Sequence, residues 1–296
     1  MAFNGTPRPP VRRYHAQTEL DDFAIVSYRV PTGALARLLP GGFAPVEFTF
    51  GDGGTGGLVS AVAFRDRDFH FRFLPPAAIN CGQINYRAYV TAAGRPGVWF
   101  FCTSLDHPLV AVPKWMWGMP WDRTRIDIAA SWDATPARWR LTADNAACEA
   151  VETGAPPSRL DGFDGPDGPG DPGRGEGLDG LGGSGGLGGS DGFGGSGGLA
   201  GERSWMPVLT HPTVGWYRRR DGHVGTYSIW HPPMRPRHLT AVSARFRVFE
   251  QLGLTTPDSV PHSILAQRRL HFDIHTPPLR LRNGAGTANK TRPRPD

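Results

Sequence analysis

The sequence predicts a mainly β protein, a β-rich α+β barrel or sandwich with few short helices. Three observations support this. Ten or more short runs rich in β-branched and aromatic residues are separated by Gly, Pro, Asn and Asp. Residues 84–90 alternate between apolar and polar side chains, whereas 98–102 form a continuous aromatic run suited to a strand buried on both faces. Helical signals are confined to two short segments.

In chain order, residues 23–30, 46–50 and 58–64 read as strands. Between the first two, residues 33–39 suggest one short helix, with Thr32 placed to cap it and Pro40 to end it. Strands 84–90 and 98–102 flank Ala92-Ala93-Gly94-Arg95-Pro96-Gly97 and form a hairpin. Residues 125–132, 138–142 and 147–151 continue as strands, with Asp144-Asn145 in the last turn. Residues 214–219 and 224–230 flank Asp221-Gly222, a strong hairpin signal. A second helix is expected near 246–252 and a final strand over 265–274.

Residues 161–201 hold half of the 40 glycines of the chain, mixed with Asp, Ser and Pro. Such a stretch buries too little apolar surface to offset its ordering entropy, so it reads as a flexible insert within one domain. It lacks the Lys-Ser/Thr pair and the strand–loop–helix setting of a phosphate loop. The single domain then spans 14–282, with a basic disordered tail over 1–13 and another over 283–296. Net charge is +5, much of it in those tails, and no Arg/aromatic pattern for base stacking appears, which excludes nucleic acid as an expected partner. Cys81, Cys102 and Cys148 are odd in number and lack zinc or redox spacing, so free thiols are expected. No leader pattern and no apolar run long enough to span a membrane is present, so a cytoplasmic location is expected. The expected partner is a small molecule, a homo-oligomer is compatible, and no cofactor is expected.

Only two lysines occur, Lys114 and Lys290, and arginines supply the other basic side chains. The bias itself reflects base composition. The place of Lys114 is informative, because it lies in Val112-Pro113-Lys114-Trp115-Met116-Trp117-Gly118-Met119-Pro120-Trp121. A lysine can lose its proton when desolvated, whereas an arginine cannot.

Tyr28-Arg29-Val30-Pro31, followed by Leu35, Leu38, Leu39 and Pro40, resembles the opening of proteins with the acetoacetate decarboxylase-like fold. Asn85-Tyr86-Arg87-Ala88-Tyr89-Val90, then Gly97-Val98-Trp99-Phe100 and Ser104-Leu105-Asp106, is similar to the YqjF-like bacterial family, a domain of unknown function. Tyr227-Ser228-Ile229-Trp230-His231-Pro232-Pro233 resembles that family's later signature. The resemblance covers most of the chain outside the tails and insert and implies a barrel enclosing an apolar pocket. In the decarboxylase relatives an active-site lysine forms a Schiff base with a keto acid, and Lys114, followed by Gly118 and Pro120, falls in the corresponding stretch. Arg29 matches an arginine near the substrate carboxylate. Two departures stand out: Trp115 occupies the place of a second lysine, and Gln83 that of a carboxylate. In the YqjF-like family an arginine is more usual where Lys114 stands.

The resemblance therefore implies a Schiff-base lyase of decarboxylase, aldolase or dehydratase type. Lys114 would condense with the ketone of a small oxo acid, Arg29 would hold its carboxylate, and Gln83 would orient a water or carbonyl without transferring protons. Trp115, Trp117 and Met119 would line the substrate and, with Met116, desolvate the amine. The competing reading is a snorkelling Lys114 with its ammonium in water. The alternative function is a non-catalytic binder of a small apolar carboxylate or ketone, and a scaffold acting through tails and insert ranks last.

His231, at a strand end before two prolines, can act as an acid or base at the cavity mouth, or simply cap a turn. His271, Asp273 and His275 share one strand face, but an exposed polar face of an edge strand is favoured over a metal site, so no metal is expected. Arg87 is either solvated or a buried cation facing an acid such as Asp106, and the resemblance inclines toward the ion pair. Ser104 lacks the setting of a hydrolase nucleophile.

Overall fold

The computed structural model describes residues 7–108, 111–153 and 205–281. The predicted insert at 161–201 and tail at 283–296 lie outside these residues. The elements in order are β1 (Ala16–Val30), α1 (Thr32–Ala36), β2 (Phe43–Pro45), β3 (Phe48–Thr49), β4 (Thr55–Phe71), β5 (Ile79–Ala92) and β6 (Arg95–Leu105). Then come α2 (Ala111–Met116), β7 (Trp121–Arg123), β8 (Ile126–Ser131), β9 (Arg138–Ala143) and β10 (Ala146–Glu152). The last are α3 (Trp205–Thr210), β11 (Val214–Arg218), β12 (Val224–Trp230), β13 (Arg237–Phe246), α4 (Arg247–Gln251) and β14 (Ser263–Arg280).

Strands β1, β4, β5, β6, β11, β12 and β14 follow one another in hydrogen-bonded order, and a β1–β14 pairing closes them into a seven-strand barrel. Closure removes the sheet edges. The 18-residue β14 makes this possible by serving two neighbours along one side: Ile264–Ala266 pair with β13, and Asp273–Arg280 pair with β12. Through β13 the sheet runs on into β10, β9 and β8. Of the expected barrel or sandwich, the sheet forms the barrel, with an extension beyond it.

Two cores result. Ala61, Ala63, Ile84, Tyr86 and Ala88 point outward from the barrel and bury against Trp139, Leu141 and Cys148 of the extension and Phe249 of α4. Leu20, Phe23, Ile25, Val62, Phe64, Phe100 and Leu270 point into the lumen. Strand alternation separates the two sets. On β1 the phase switches from Leu20 to Phe23 because a bulge lies between Asp21 and Ala24, with Asp22 in the left-handed region at φ 52. The β6–β11 contact is close: a Cβ on Gly97 would meet the Val214 carbonyl oxygen at 2.6 Å and the Trp216 ring.

Several local expectations are corrected. The first helix is shorter than predicted and is capped at Pro31; the Thr32 hydroxyl instead bonds Glu47 at 3.3 Å. Lys114 lies in helix α2, which the aromatic run does not announce, and β13 was read only at its C-terminal end, as the start of a helix. Strand β14 is paired on both sides and is no edge strand. Its outward residue Asp273 is fully buried, bound by Arg8 at 2.7 Å and Gln17 at 3.0 Å. His271 turns to Glu19, and His275 to Ser228. Among the described residues no group of His, Cys, Asp or Glu has metal-site geometry, and no helix is long and apolar enough to cross a membrane.

Candidate functional site

The barrel encloses a cavity of about 290 Å³. Its wall is built by alternation: on β5 the side chains of Ile84, Tyr86 and Ala88 leave the lumen, so Gln83, Asn85 and Arg87 enter it. Phe64, Phe100, Leu270 and Phe272 supply much of the apolar wall, and Trp117, Met119 and Trp121 arrive from the segment after α2.

Arg87 is the only buried arginine among the described residues, 6% exposed. Its Nη2 donates to the Leu209 backbone oxygen at 2.9 Å and to Tyr89 Oη at 3.3 Å. Its Nε has no hydrogen-bond partner, and no described carboxylate forms an ion pair with it. The expected pairing with Asp106 is therefore not made. Asp106 Oδ1 instead accepts from the Gly82 backbone N–H at 2.8 Å, so its acceptor capacity is used to join β5 to the end of β6. Behind Arg87, the Tyr89, Ser60 and Ser27 hydroxyls form a buried chain with two links of 2.8 Å.

The predicted site residues divide. Gln83, Trp117, Met119 and His231 line the cavity. Gln83 Nε2 donates to Asn85 Oδ1 at 2.9 Å, which also accepts from Thr103 at 2.8 Å. His231 stacks on Phe272 with ring centroids 5.3 Å apart, and its Nδ1–H donates to the Pro232 carbonyl at 2.8 Å. That bond leaves Nε2 as an acceptor. Burial pushes His231 down to about 4, helped by His211 and the Arg87 charge and opposed by the Pro232 bond, so the ring is neutral at physiological pH.

Lys114, Arg29 and Trp115 are not part of the cavity wall. The Lys114 ammonium donates to Asp122 at 2.7 Å, with about a third of the side chain exposed. Arg29 bonds Asp52 at 2.7 Å and sits 4.4 Å over the Phe50 ring. Trp115 is 83% exposed. The aromatic run thus splits, Trp117 and Met119 facing inward and Trp115 facing water. The expected meeting of Lys114, Arg29 and Gln83 in one pocket is not formed, because surface carboxylates hold both cations.

Two lumen residues were not among the predicted site residues. Asp66 lies beyond the predicted end of its strand, which in the structure runs on to Phe71. Arg87 was noticed, but its missing counter-charge is a tertiary fact. A signal for both exists in the strand phase, since Val62, Phe64 and Asp66 share one face, as do Gln83, Asn85 and Arg87.

The same architecture occurs in solved structures. Acetoacetate decarboxylase from Legionella pneumophila subsp. pneumophila superposes with a TM-score of 0.52 over 94% of this chain and 93% of that one, at 11% identity. The enduracididine biosynthesis enzyme MppR complexed with pyruvate gives 0.55 over 94% and 96%, at 12% identity. An acetoacetate decarboxylase-like enzyme from Sphingomonas wittichii RW1 gives 0.51 over 93% and 96%, at 11% identity. The superpositions show the shared fold, and at such identities they show the fold alone. No curated protein matches the chain in sequence. Residues 17–163 match the DUF2071 family model, described as an uncharacterized conserved protein. By these superpositions the chain has the fold of acetoacetate decarboxylase-like proteins, and over residues 17–163 it is similar to the DUF2071 family.

Proposed function

We propose that the barrel is a receptor for a small apolar carboxylic acid, anchored by Arg87. The carrying observation is a buried guanidinium whose Nε has no partner and which has no carboxylate beside it. Holding such a charge out of water costs several kcal/mol unless a counter-charge arrives. A ligand carboxylate supplies that charge and accepts from the guanidinium in the charge-assisted geometry that arginine favours. Phe64, Phe100, Leu270 and Phe272 take the apolar body. A cavity of about 290 Å³ lies near the lower end for small-molecule sites.

Calorimetric titration with decanoate, decanol and decylamine tests this. Decanoate is expected to bind about a hundredfold more tightly than decanol, with decylamine weakest. Equal affinity for acid and alcohol would sink the reading.

A second reading is a lysine-imine lyase acting on an oxo acid. It is favoured by the arrival of Trp117 and Met119 at the cavity wall from just after Lys114, and by a fold shared with acetoacetate decarboxylase and with MppR complexed with pyruvate. It requires Lys114 to leave Asp122 and turn inward. Borohydride treatment with pyruvate or acetoacetate, followed by peptide mass analysis, separates the two. A reduced adduct on Lys114 selects the lyase. No adduct across a panel of oxo acids, with decanoate binding intact in Lys114→Ala, selects the receptor.

A further inference from the structure

Four aspartates are buried among the described residues: Asp21, Asp22, Asp66 and Asp273. Three of them hold an arginine, with Arg67 and Arg269 on Asp21, Arg65 on Asp22 and Arg8 on Asp273. None of these three lines the cavity. Asp66 does line it, and no described arginine or lysine pairs with it. Its contacts are neutral donors: Thr18 Oγ1 to Oδ1 at 3.0 Å and Cys81 Sγ to Oδ2 at 3.6 Å.

One lumen therefore contains an acid without a base and a base without an acid. They are too far apart to satisfy each other. Asp66 sits across from Cys81, six residues before Arg87 on β5. That is about 20 Å of strand, or about 15 Å along the axis of a barrel with the usual strand tilt. Apolar side chains, among them Leu20, Phe64 and Phe272, occupy the wall around this span.

Resting on the carboxylate-receptor reading, we propose that Asp66 is the second recognition group of the cavity. Its carboxyl donates a hydrogen bond to a carbonyl oxygen at the far end of the ligand whose carboxylate sits on Arg87. The ligand class is a medium-chain carboxylic acid with a ketone remote from the acid group. Burial pushes Asp66 up to about 7, with the Asp106 charge adding to it and the Thr18 and Cys81 bonds opposing it. Near neutral pH a substantial fraction of the carboxyl thus carries the proton that such a bond needs. The other ionisable groups near it are Cys81 on β5, Asp106 beyond β6, and His70, His107 and His231 on the cavity wall. Its strand neighbours Arg65 and Arg67 are bound to Asp22 and Asp21.

The test compares decanoate, its oxo derivative with the ketone at the penultimate carbon, and a long-chain methyl ketone without a carboxylate. Binding is measured at about pH 6 and about pH 8, on either side of the Asp66 titration. The wild type is expected to prefer the oxo acid over decanoate by about tenfold at the lower pH and to lose the preference at the higher. Asp66→Leu is expected to abolish the preference at both. Asp66→Asn, whose amide donates without titrating, is expected to keep the preference at both. Circular dichroism melts check that each variant is folded. No preference in the wild type at about pH 6, or a preference that survives in Asp66→Leu, overturns the proposal. Absence of decanoate binding overturns the anion reading and with it the ligand class. The methyl ketone then reports Asp66 separately, through its loss of affinity in Asp66→Leu but not in Arg87→Met.

Discussion

The Arg87 guanidinium donates through Nη2 to the backbone oxygen of Leu209 at 2.9 Å, tying a barrel strand to helix α3. This bond aims a permanent cation into an apolar lumen and holds it there. An arginine suits the position because it cannot shed its charge, as a lysine in the same place would.

Arg87→Met should separate binding from stability. The substitution leaves the Leu209 oxygen unpartnered, a cost of about 1–3 kcal/mol. It also removes an uncompensated buried charge, a gain of similar size. The melting temperature should therefore change little, while decanoate affinity falls about a hundredfold. Calorimetry and thermal melts on the same sample check both.

Lys114→Ala should be nearly silent in stability. The Lys114–Asp122 pair joins side chains that are 31% and 67% exposed, and surface pairs contribute at most about 1 kcal/mol. Chemical denaturation should give a midpoint close to wild type, and decanoate binding should persist. A lost adduct in borohydride trapping, with binding intact, would assign catalysis to this residue.

Asp66 should make the fold less stable as pH rises. Its folded value of about 7 lies above the ordinary 3.8, so the native state holds a proton that the unfolded chain has released between those values. The stability it contributes is full below about 4 and is lost as pH rises through about 7. Asp66→Asn should remove that slope. Denaturation across the pH range should show the variant gaining on the wild type above about pH 4, by a few kcal/mol at pH 8.

His231 should act in the opposite direction. Burial holds it down to about 4 against an ordinary 6.5, so the unfolded chain binds the extra proton in that window. The stability of the neutral stacked ring is present above 6.5 and is lost as pH falls through about 4. His231→Phe keeps the stack on Phe272 and should resist acid better than the wild type. Acid-induced loss of tryptophan fluorescence order, followed in both proteins, checks this.

Local pattern by itself determined that this chain is strand-rich, and it located the hairpins around Gly94 and Gly222, because alternation and turn chemistry act over a few residues. It also marked the aromatic stretch that sends Trp117 and Met119 into the cavity. Where local pattern stopped was physical. The strand holding Phe23 seemed to begin there because Asp21-Asp22 interrupts the alternation. In the fold that pair is a bulge whose carboxylates bind Arg67, Arg269 and Arg65. Alternation puts Gln83, Asn85 and Arg87 on one strand face, and closure of the sheet turned that face into the lumen and the other face into a second core. Which cations meet carboxylates is likewise non-local. Arg29 and Lys114 found Asp52 and Asp122, whereas Arg87 and Asp66 were left unpaired in one cavity. Periodicity sets which side chains share a face, but only the pairing of distant strands decides whether that face meets water, a core or a ligand.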